Sequence, residues 1–166
     1  MDDFAPRAKD QCPAGKFSPD GLGPLCRVCP KNTYQDQPGK SACKNCEHGT
    51  ETLQLAATAA EACGDAPVIT SVNSSVNTIN KVKEAVLDCY AHASPSPLVV
   101  WRFTEDIPSE FIGIPKVVQL MDDKGTPIGI RLIIQAVTDF NSGRYECTAV
   151  NQFGQDMKSL DLKVRT

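Results

Sequence analysis

The pattern of apolar and polar positions along the chain changes near residue 64. From residue 67 onward, short apolar segments alternate with polar residues and are separated by turn-forming residues, which is typical of the strands of a β-sandwich. Before residue 64, apolar β-branched residues are few, so an ordinary hydrophobic core is not expected there. The pattern predicts two modules joined by a short linker at 64–66, where turn and breaker residues cluster.

The alternation in the second module, 67–166, predicts eight strands and the inward face of each. These strands are 67–72 (A), 76–79 (A′), 84–92 (B), 98–103 (C), 116–121 (D), 128–135 (E), 143–151 (F) and 157–165 (G). The residues expected to point inward are Leu87, Cys89, Ala91, Val99, Trp101, Phe103, Ile130, Leu132, Ile134, Leu160, Leu162 and Val164. Each large side chain that becomes fully buried contributes about 1.5–3 kcal/mol, so these sets predict a shared core.

The first module, 12–63, contains six of the eight cysteines and repeats every 17 residues. The cysteines on this spacing are Cys12, Cys29, Cys46 and Cys63, with Cys26 and Cys43 forming a second series. Three residues after each opening cysteine stand Gly15, Asn32 and Gly49, which tolerate positive φ and predict the same tight turn in each unit. Stacked units of this kind predict a narrow rod, preceded by an N-terminal extension at 1–11.

The repeat favours disulfide pairing within each unit, because so short a repeat cannot bury an apolar face by itself. The expected pairs are Cys12–Cys26, Cys29–Cys43 and Cys46–Cys63. Each closes a loop of about 15 residues, which the chain-entropy treatment values at roughly 3 kcal/mol. Since six cysteines allow about 15 connectivities, the repeat supports this pairing without excluding others.

A tetrahedral zinc site is the alternative use of these cysteines. The pairs Cys26-x2-Cys29 and Cys43-x2-Cys46 have suitable spacing for thiolate ligands. Such a site leaves Cys12 and Cys63 without partners, although both keep the 17-residue spacing. We therefore favour disulfides, which persist in oxidising compartments, over an intracellular zinc-binding scaffold, and we expect no metal or cofactor.

The motifs of the first module resemble a known family. The run Cys-Pro-x-Gly/Asn-x-Phe/Tyr, a Pro-Gly near the next cysteine and then Cys-x-x-Cys-Pro are similar to the ephrin-receptor-like cysteine repeat, which is akin to tumour-necrosis-factor-receptor modules. The resemblance covers residues 12–63. It implies that this module is a spacer, and in some members a ligand contact.

Three landmarks identify the type of sandwich in the second module. Cys89 and Cys147 lie on predicted strands B and F and would join the two sheets, with Trp101 packed on the bridge. Tyr145, two residues before Cys147, fits a tyrosine corner. The run 141–154 contains Gly-x-Tyr-x-Cys-x-Ala-x-Asn-x-x-Gly and resembles the I-set of immunoglobulin domains, a likeness that covers 67–166. The fold class is therefore mainly β: a disulfide-rich small-repeat rod plus an I-set, immunoglobulin-like antiparallel β-sandwich.

Charge and composition restrict the function classes. A net charge of −3 argues against nucleic-acid binding, and no apolar run reaches the 18 or so residues needed to cross a bilayer. The two histidines, His48 and His92, have no placed catalytic partner, so we expect no enzyme. The first residues lack a secretory signal pattern, and we interpret the chain as a fragment of a longer secreted or membrane-anchored protein.

Several surface features are candidates for binding or modification. Tyr90 and Ile133 point outward on neighbouring strands B and E and could form one apolar patch; a second candidate is the loop with Phe111, Ile112 and Ile114. Asn73 opens an Asn-x-Ser sequon and predicts a glycan near the crossover from A to A′. The acidic run 122–125 is interpreted as the turn between D and E. The opposite face is interpreted as a mixed-charge solvated surface with Arg102, Arg144, Glu146, Asp161 and Lys163.

The combined interpretation is an extracellular protein–protein recognition module, either from an adhesion molecule or from a receptor ectodomain, and self-association is possible. The alternative is a secreted or extracellular-matrix modulator that captures a growth factor or a polysaccharide. Both functions rest on fold-level analogy.

Overall fold

The computed structural model describes residues 10–79, 82–104 and 115–164. The chain divides into two compact units, one ending at Asp65 and the other beginning at Ala66. This boundary falls inside the linker predicted at 64–66. We call the cysteine-containing part of the first unit the cysteine module and the second unit the sandwich. Both are built mainly from β-strands, as predicted.

The cysteine module consists of three short antiparallel hairpins in sequence. Their strands are β1 (Lys16–Phe17) with β2 (Arg27–Val28), β3 (Thr33–Tyr34) with β4 (Lys44–Asn45), and β5 (Glu51–Thr52) with β6 (Cys63–Gly64). A 3-10 helix, Ala60–Ala62, precedes β6. The turn before each hairpin has positive φ at Gly15 (78°), Asn32 (69°) and Gly49 (84°), which confirms the shared tight turn.

Covalent and hydrogen bonds both follow the 17-residue period of the module. Its disulfides are Cys12–Cys26, Cys29–Cys43 and Cys46–Cys63, the pairs expected from the repeat. Between successive hairpins, the Cys29 amide donates to the Gly15 carbonyl, and the Cys46 amide donates to the Asn32 carbonyl, both at 2.9 Å. Each hairpin is therefore held to the next by the same backbone contact.

The sandwich has two antiparallel sheets. Its strands are β7 (Val68–Ile79), β8 (Val82–His92), β9 (Leu98–Phe103), β10 (Lys116–Met121), β11 (Pro127–Gln135), β12 (Gly143–Asn151) and β13 (Gly154–Leu162). One sheet has the order β10-β11-β8-β7 and the other the order β13-β12-β9. A 3-10 helix, Asp139–Asn141, connects β11 to β12 across the two sheets. The turn predicted at 122–125 joins β10 to β11, where the Asp122 amide donates to the Thr126 carbonyl.

Three predicted strands, A, A′ and G, differ clearly from those observed. Strands A and A′ are one continuous strand, β7, which pairs with β8 from Val68 to Ile79, so the predicted crossover was wrong. No proline or glycine interrupts this segment, and its polar residues Asn73 to Ser75 remain in the ladder because an edge strand can expose them. The last strand begins three residues before its predicted start, since the turn from β12 to β13 closes directly between Asn151 and Gly154.

The core lies between the two sheets and confirms the predicted inward positions. Leu87, Cys89 and Cys147 are fully buried, and Trp101 packs against both core clusters. One cluster contains Ala85, Leu87, Leu132, Ile134, Val137, Tyr145, Leu162 and Val164, and the other Ile69, Cys89, Ala91, Val99, Cys147 and Ala149. The Cys89–Cys147 disulfide joins β8 to β12 across this core.

Candidate functional site

The outer face of the three-stranded sheet carries a group of exposed apolar side chains that the sequence interpretation missed. Leu98 lies opposite Val150, and Val100 and Met157 both lie opposite Thr148, so the register brings them together on one face. Their exposed fractions are 66% for Leu98, 43% for Val100, 37% for Val150 and 50% for Met157. We call Leu98, Val100, Val150 and Met157 the apolar cluster.

The other half of this face carries charged residues of both signs. Arg102 lies opposite Glu146, and farther along β12 and β13 the Arg144 Nε lies 3.2 Å from the Asp161 Oδ1. The prediction of a mixed-charge solvated surface was therefore correct for this half of the face and wrong for the other half. Alternation within one strand does not reveal the apolar cluster, because its residues become neighbours only through the registers of β9, β12 and β13.

Exposed apolar side chains indicate a contact site when they are neighbours on the surface. Single exposed apolar side chains are ordinary, but contiguous ones rimmed by polar residues mark contact sites. Methionine is enriched at protein interfaces, and charged residues are depleted at their centres. The cluster and its charged border have this arrangement.

The patch predicted from Tyr90 and Ile133 is not continuous. Both side chains lie on the outer face of the four-stranded sheet, but Tyr90 is opposite Gly129 and Ile133 is opposite Val86, four residues along the register. Between them, Arg131 donates two hydrogen bonds to Asp88, at 2.7 and 2.8 Å. The hydrogen bond to Asp88 raises the pKa of Arg131, and this charged pair divides the two half-buried apolar residues.

The second predicted patch, Phe111, Ile112 and Ile114, lies outside the described residues. It stays a prediction.

Asn73 is exposed in the middle of β7, opposite Asp88. The predicted location of its sequon near a strand crossover was wrong, because β7 is continuous there. Asn73 and the following Ser74 and Ser75 are all exposed, so the acceptor amide is accessible on the folded surface.

The landmarks of the sandwich lie around its disulfide. Trp101 is opposite Cys147 on the neighbouring strand, and its indole Nε1 is buried without a hydrogen-bond partner among the described residues. The buried Tyr145 hydroxyl donates to the Asn141 carbonyl at 2.8 Å, and burial raises the pKa of Tyr145 to about 12. Tyr145 is therefore protonated at neutral pH, and its hydroxyl links β12 to the 3-10 helix that precedes it.

The buried polar residues of the cysteine module were also missed. Ser18, Gln35 and Thr52 are buried and 17 residues apart. The Gln35 Nε2 donates to the Ala42 carbonyl at 2.7 Å, and the Thr52 hydroxyl accepts from the Asn32 amide at 2.8 Å. The 17-residue period could have identified them, but it was applied only to the cysteines and the turn residues.

The two histidines and the eight cysteines are the candidates for catalytic or metal-binding chemistry. His48 and His92 are both exposed, and within the described ranges no group of three or more histidine, cysteine, aspartate or glutamate residues could hold a metal ion. All eight cysteines belong to this part of the chain and are disulfide-bonded, so none is a free thiolate for zinc. Among the described residues, no helix has the length and hydropathy of a membrane span.

Two family models match the chain. The model for tyrosine-protein kinase ephrin type A/B receptor-like matches residues 15–63, and the immunoglobulin domain model matches residues 66–151. These matches confirm both resemblances inferred from the sequence. Domains of these two kinds are typically non-catalytic.

Individual proteins resemble parts of the chain. The limbic system-associated membrane protein of Rattus norvegicus is 27% identical over 99 residues, covering 59% of this chain and 25% of that protein. Hemicentin-2 of Mus musculus is 35% identical over 99 residues, covering 60% of this chain and 2% of that protein. A solved chimeric titin Z1Z2 structure is 28% identical with a TM-score of 0.46, covering 61% of this chain and 96% of its own. The chain thus spans a quarter or less of the length of these curated relatives.

Proposed function

Since the chain belongs to the immunoglobulin domain family, we propose that it is a non-catalytic module that recognises another protein outside the cell. The observation that carries this proposal is the apolar cluster, exposed on one sheet of a sandwich whose cysteines are all oxidised. The functional units are the cysteine module at 12–63, the linker at 64–66 and the sandwich at 67–166.

The extracellular location is supported by the disulfides. Eight cysteines form four bonds, three of them in the cysteine module, whose described residues bury no leucine, isoleucine, valine or phenylalanine. Disulfides persist in secreted proteins and are reduced in the cytosol. A unit without an apolar core depends on them, so the chain is suited to an oxidising compartment.

The apolar cluster supports a protein as the partner. An acidic polysaccharide or a nucleic acid would be matched by a basic surface, whereas this face joins the apolar cluster to charges of both signs. The complementary partner is a protein face with its own apolar centre and a border of mixed charge. The cysteine module acts as a spacer.

The test is direct binding of the oxidised protein to a panel of extracellular ectodomains that includes this chain itself. Met157→Glu places a charge in the apolar cluster, and Met121→Glu is the matched control, because Met121 is 52% exposed on β10 of the other sheet. Desolvating a new charge at an interface centre costs about 2 kcal/mol or more, so we expect binding by Met157→Glu to weaken roughly 30-fold.

Different outcomes separate the alternatives. Equal binding by both methionine variants would contradict the cluster as the contact surface. Binding to heparin or another polysaccharide, but to no ectodomain, would favour the secreted modulator. Concentration-dependent sedimentation that Met157→Glu abolishes would identify a second copy of this chain as the partner. Free thiols in the secreted protein would contradict the extracellular location.

A further inference from the structure

β7 forms an open edge of the four-stranded sheet. In the described parts of the chain, it pairs with β8 on one side and with no strand on the other. An unpaired edge presents backbone amide and carbonyl groups that another chain can extend, and proteins usually block it with lysine, other charges, proline or a very short strand. At 12 residues, β7 is long for an edge strand.

Among the described strands of the sandwich, four lie at a sheet edge, and they differ in this protection. Arg102 lies on β9 and Lys116 on β10, while β13 carries Asp156, Lys158 and Asp161. The sequence of β7, Val-Ile-Thr-Ser-Val-Asn-Ser-Ser-Val-Asn-Thr-Ile, contains no charged residue and no proline. β7 therefore lacks the common side-chain devices against strand addition.

The beginning of β7 is tied to β13. The Ile69 amide donates to the Asp156 Oδ2 at 2.8 Å, and the register with β8 shifts between Ile69 and Ser71. Beyond this bulge, Asn73, Ser74, Ser75 and Val76 are consecutive exposed residues. This exposed run of β7 contains the Asn-x-Ser sequon.

We propose that Asn73 carries an N-linked glycan whose function is to protect the open edge of β7 from strand addition by a second chain. In the transfer, the Asn73 Nδ2 loses a proton and forms a bond to the anomeric carbon of an oligosaccharide donated by a lipid diphosphate. The bond from that carbon to the diphosphate breaks, and the lipid diphosphate leaves. The Ser75 hydroxyl completes the recognised sequence.

The position of Asn73 suits this role. It lies near the middle of β7, on the outer face opposite Asp88. A bulky solvated glycan there would sterically hinder an added strand. The modified sheet is also the sheet that lacks the apolar cluster, so the glycan leaves the proposed contact surface open. The proposal rests on the secretory location in the proposed function.

The experiment compares protein secreted by a eukaryotic host with matched variants. Ser75→Ala removes the sequon and keeps Asn73, while Ser74→Ala keeps the sequon and is the control. We expect enzymatic deglycosylation to lower the mass of the wild type and of Ser74→Ala, but not that of Ser75→Ala. We also expect Ser75→Ala to aggregate severalfold faster, measured by light scattering below its unfolding temperature.

A second pair of variants at Asn73 tests whether protection of the strand edge, and not the added solubility of a glycan, prevents aggregation. Asn73→Lys and Asn73→Gln both lack the glycan, and only the lysine blocks an edge. We expect Asn73→Lys to aggregate severalfold more slowly than Asn73→Gln, with both variants shown to be folded by near-ultraviolet circular dichroism.

Three results would overturn the proposal: secreted wild type without a glycan, equal aggregation of Ser75→Ala and wild type, or equal aggregation of the lysine and glutamine variants. A disulfide-bonded secreted protein with bare Asn73 leaves the proposed function intact.

Discussion

The buried positions of the cysteine module and of the sandwich differ in their chemistry. In the module, the buried side chains are two half-cystines and the hydrogen-bonded Ser18, Gln35 and Thr52, while Leu25 and Leu55 are exposed. In the sandwich, the buried side chains are mainly aliphatic and lie in two clusters around one disulfide. One unit is thus ordered by covalent links and polar contacts, and the other by removal of apolar surface from water.

This difference predicts that the two units lose stability to different extents under the same perturbation. A disulfide is necessary where little apolar surface is buried, and it is supplementary where a core exists.

Reduction of all four disulfides should unfold the cysteine module and leave the sandwich folded. The module would lose roughly 3 kcal/mol for each of three loops, which exceeds what a unit without an apolar core retains. The sandwich would lose about 4 kcal/mol for its one longer loop and keep its core. Amide resonances of the reduced and alkylated protein should collapse for 12–63 and stay dispersed for 67–164. Loss of dispersion in the sandwich alone would contradict the comparison.

A cavity in the sandwich core should cost more than loss of a buried polar group in the module. Leu87→Ala removes a fully buried side chain, and we expect it to lower the free energy of unfolding by about 2–5 kcal/mol. Gln35→Ala removes the hydrogen bonds to the Ala42 carbonyl and from the Gln37 amide, each worth about 0.5–1.5 kcal/mol.

Denaturant titrations, followed by Trp101 fluorescence for the sandwich and by proteolysis for the module, measure these two costs. Equal costs in the two units would indicate that the module has an apolar core of its own.

Substitutions at equivalent turn residues should show how much of the stability cost comes from packing and how much from the positive φ. Gly15 and Gly49 both have positive φ, and Asn32 occupies the same position in the unit between them. A Cβ at Gly15 would meet the Ala56 carbonyl oxygen at 2.5 Å, whereas a Cβ at Gly49 would meet nothing within 4 Å. We expect Gly15→Asn to destabilise the module by about 1–3 kcal/mol and Gly49→Asn to change it by less than about 1 kcal/mol. Proteolysis rates of the oxidised proteins test this order, and a reversed order would show that the contact with Ala56 is not limiting.

The smallest expected effect is on the stability of the sandwich at acid pH. The hydrogen bond from the Ile69 amide, aided by that from Met157, lowers the pKa of Asp156 below its ordinary value. A carboxyl whose pKa is lower in the folded state stabilises that state above its unfolded pKa, and the contribution is lost as pH falls through the folded value. We expect Asp156→Ala to flatten the dependence of the thermal midpoint on pH below about 4. An unchanged slope would show that the tie between β13 and β7 is absent in solution.

Much of the fold followed from local pattern. The 17-residue spacing identified the repeat and the turn residues Gly15, Asn32 and Gly49, and strict alternation identified the inward faces around Leu87. These features are local because a turn needs a permissive residue and a half-buried strand needs a period of two.

The candidate surfaces could not be obtained in the same way. Tyr90 and Ile133 both point outward, as their positions in the alternation require, but the pairing of β8 with β11 places Asp88 and Arg131 between them. Alternation specifies a face and leaves open which residues of different strands become neighbours. The continuity of β7 was missed for a related reason, since pairing with β8 outweighs the turn preference of the polar run around Asn73.

The sequence by itself determined that the chain has two modules, one cross-linked by cysteines and one organised around an apolar core, because composition decides how each segment can offset its conformational entropy. Only the tertiary structure decided that Leu98, Val100, Val150 and Met157 are neighbours and that β7 is an open edge. Both depend on strand order and register between distant segments, which bring together residues as far apart in sequence as Leu98 and Val150.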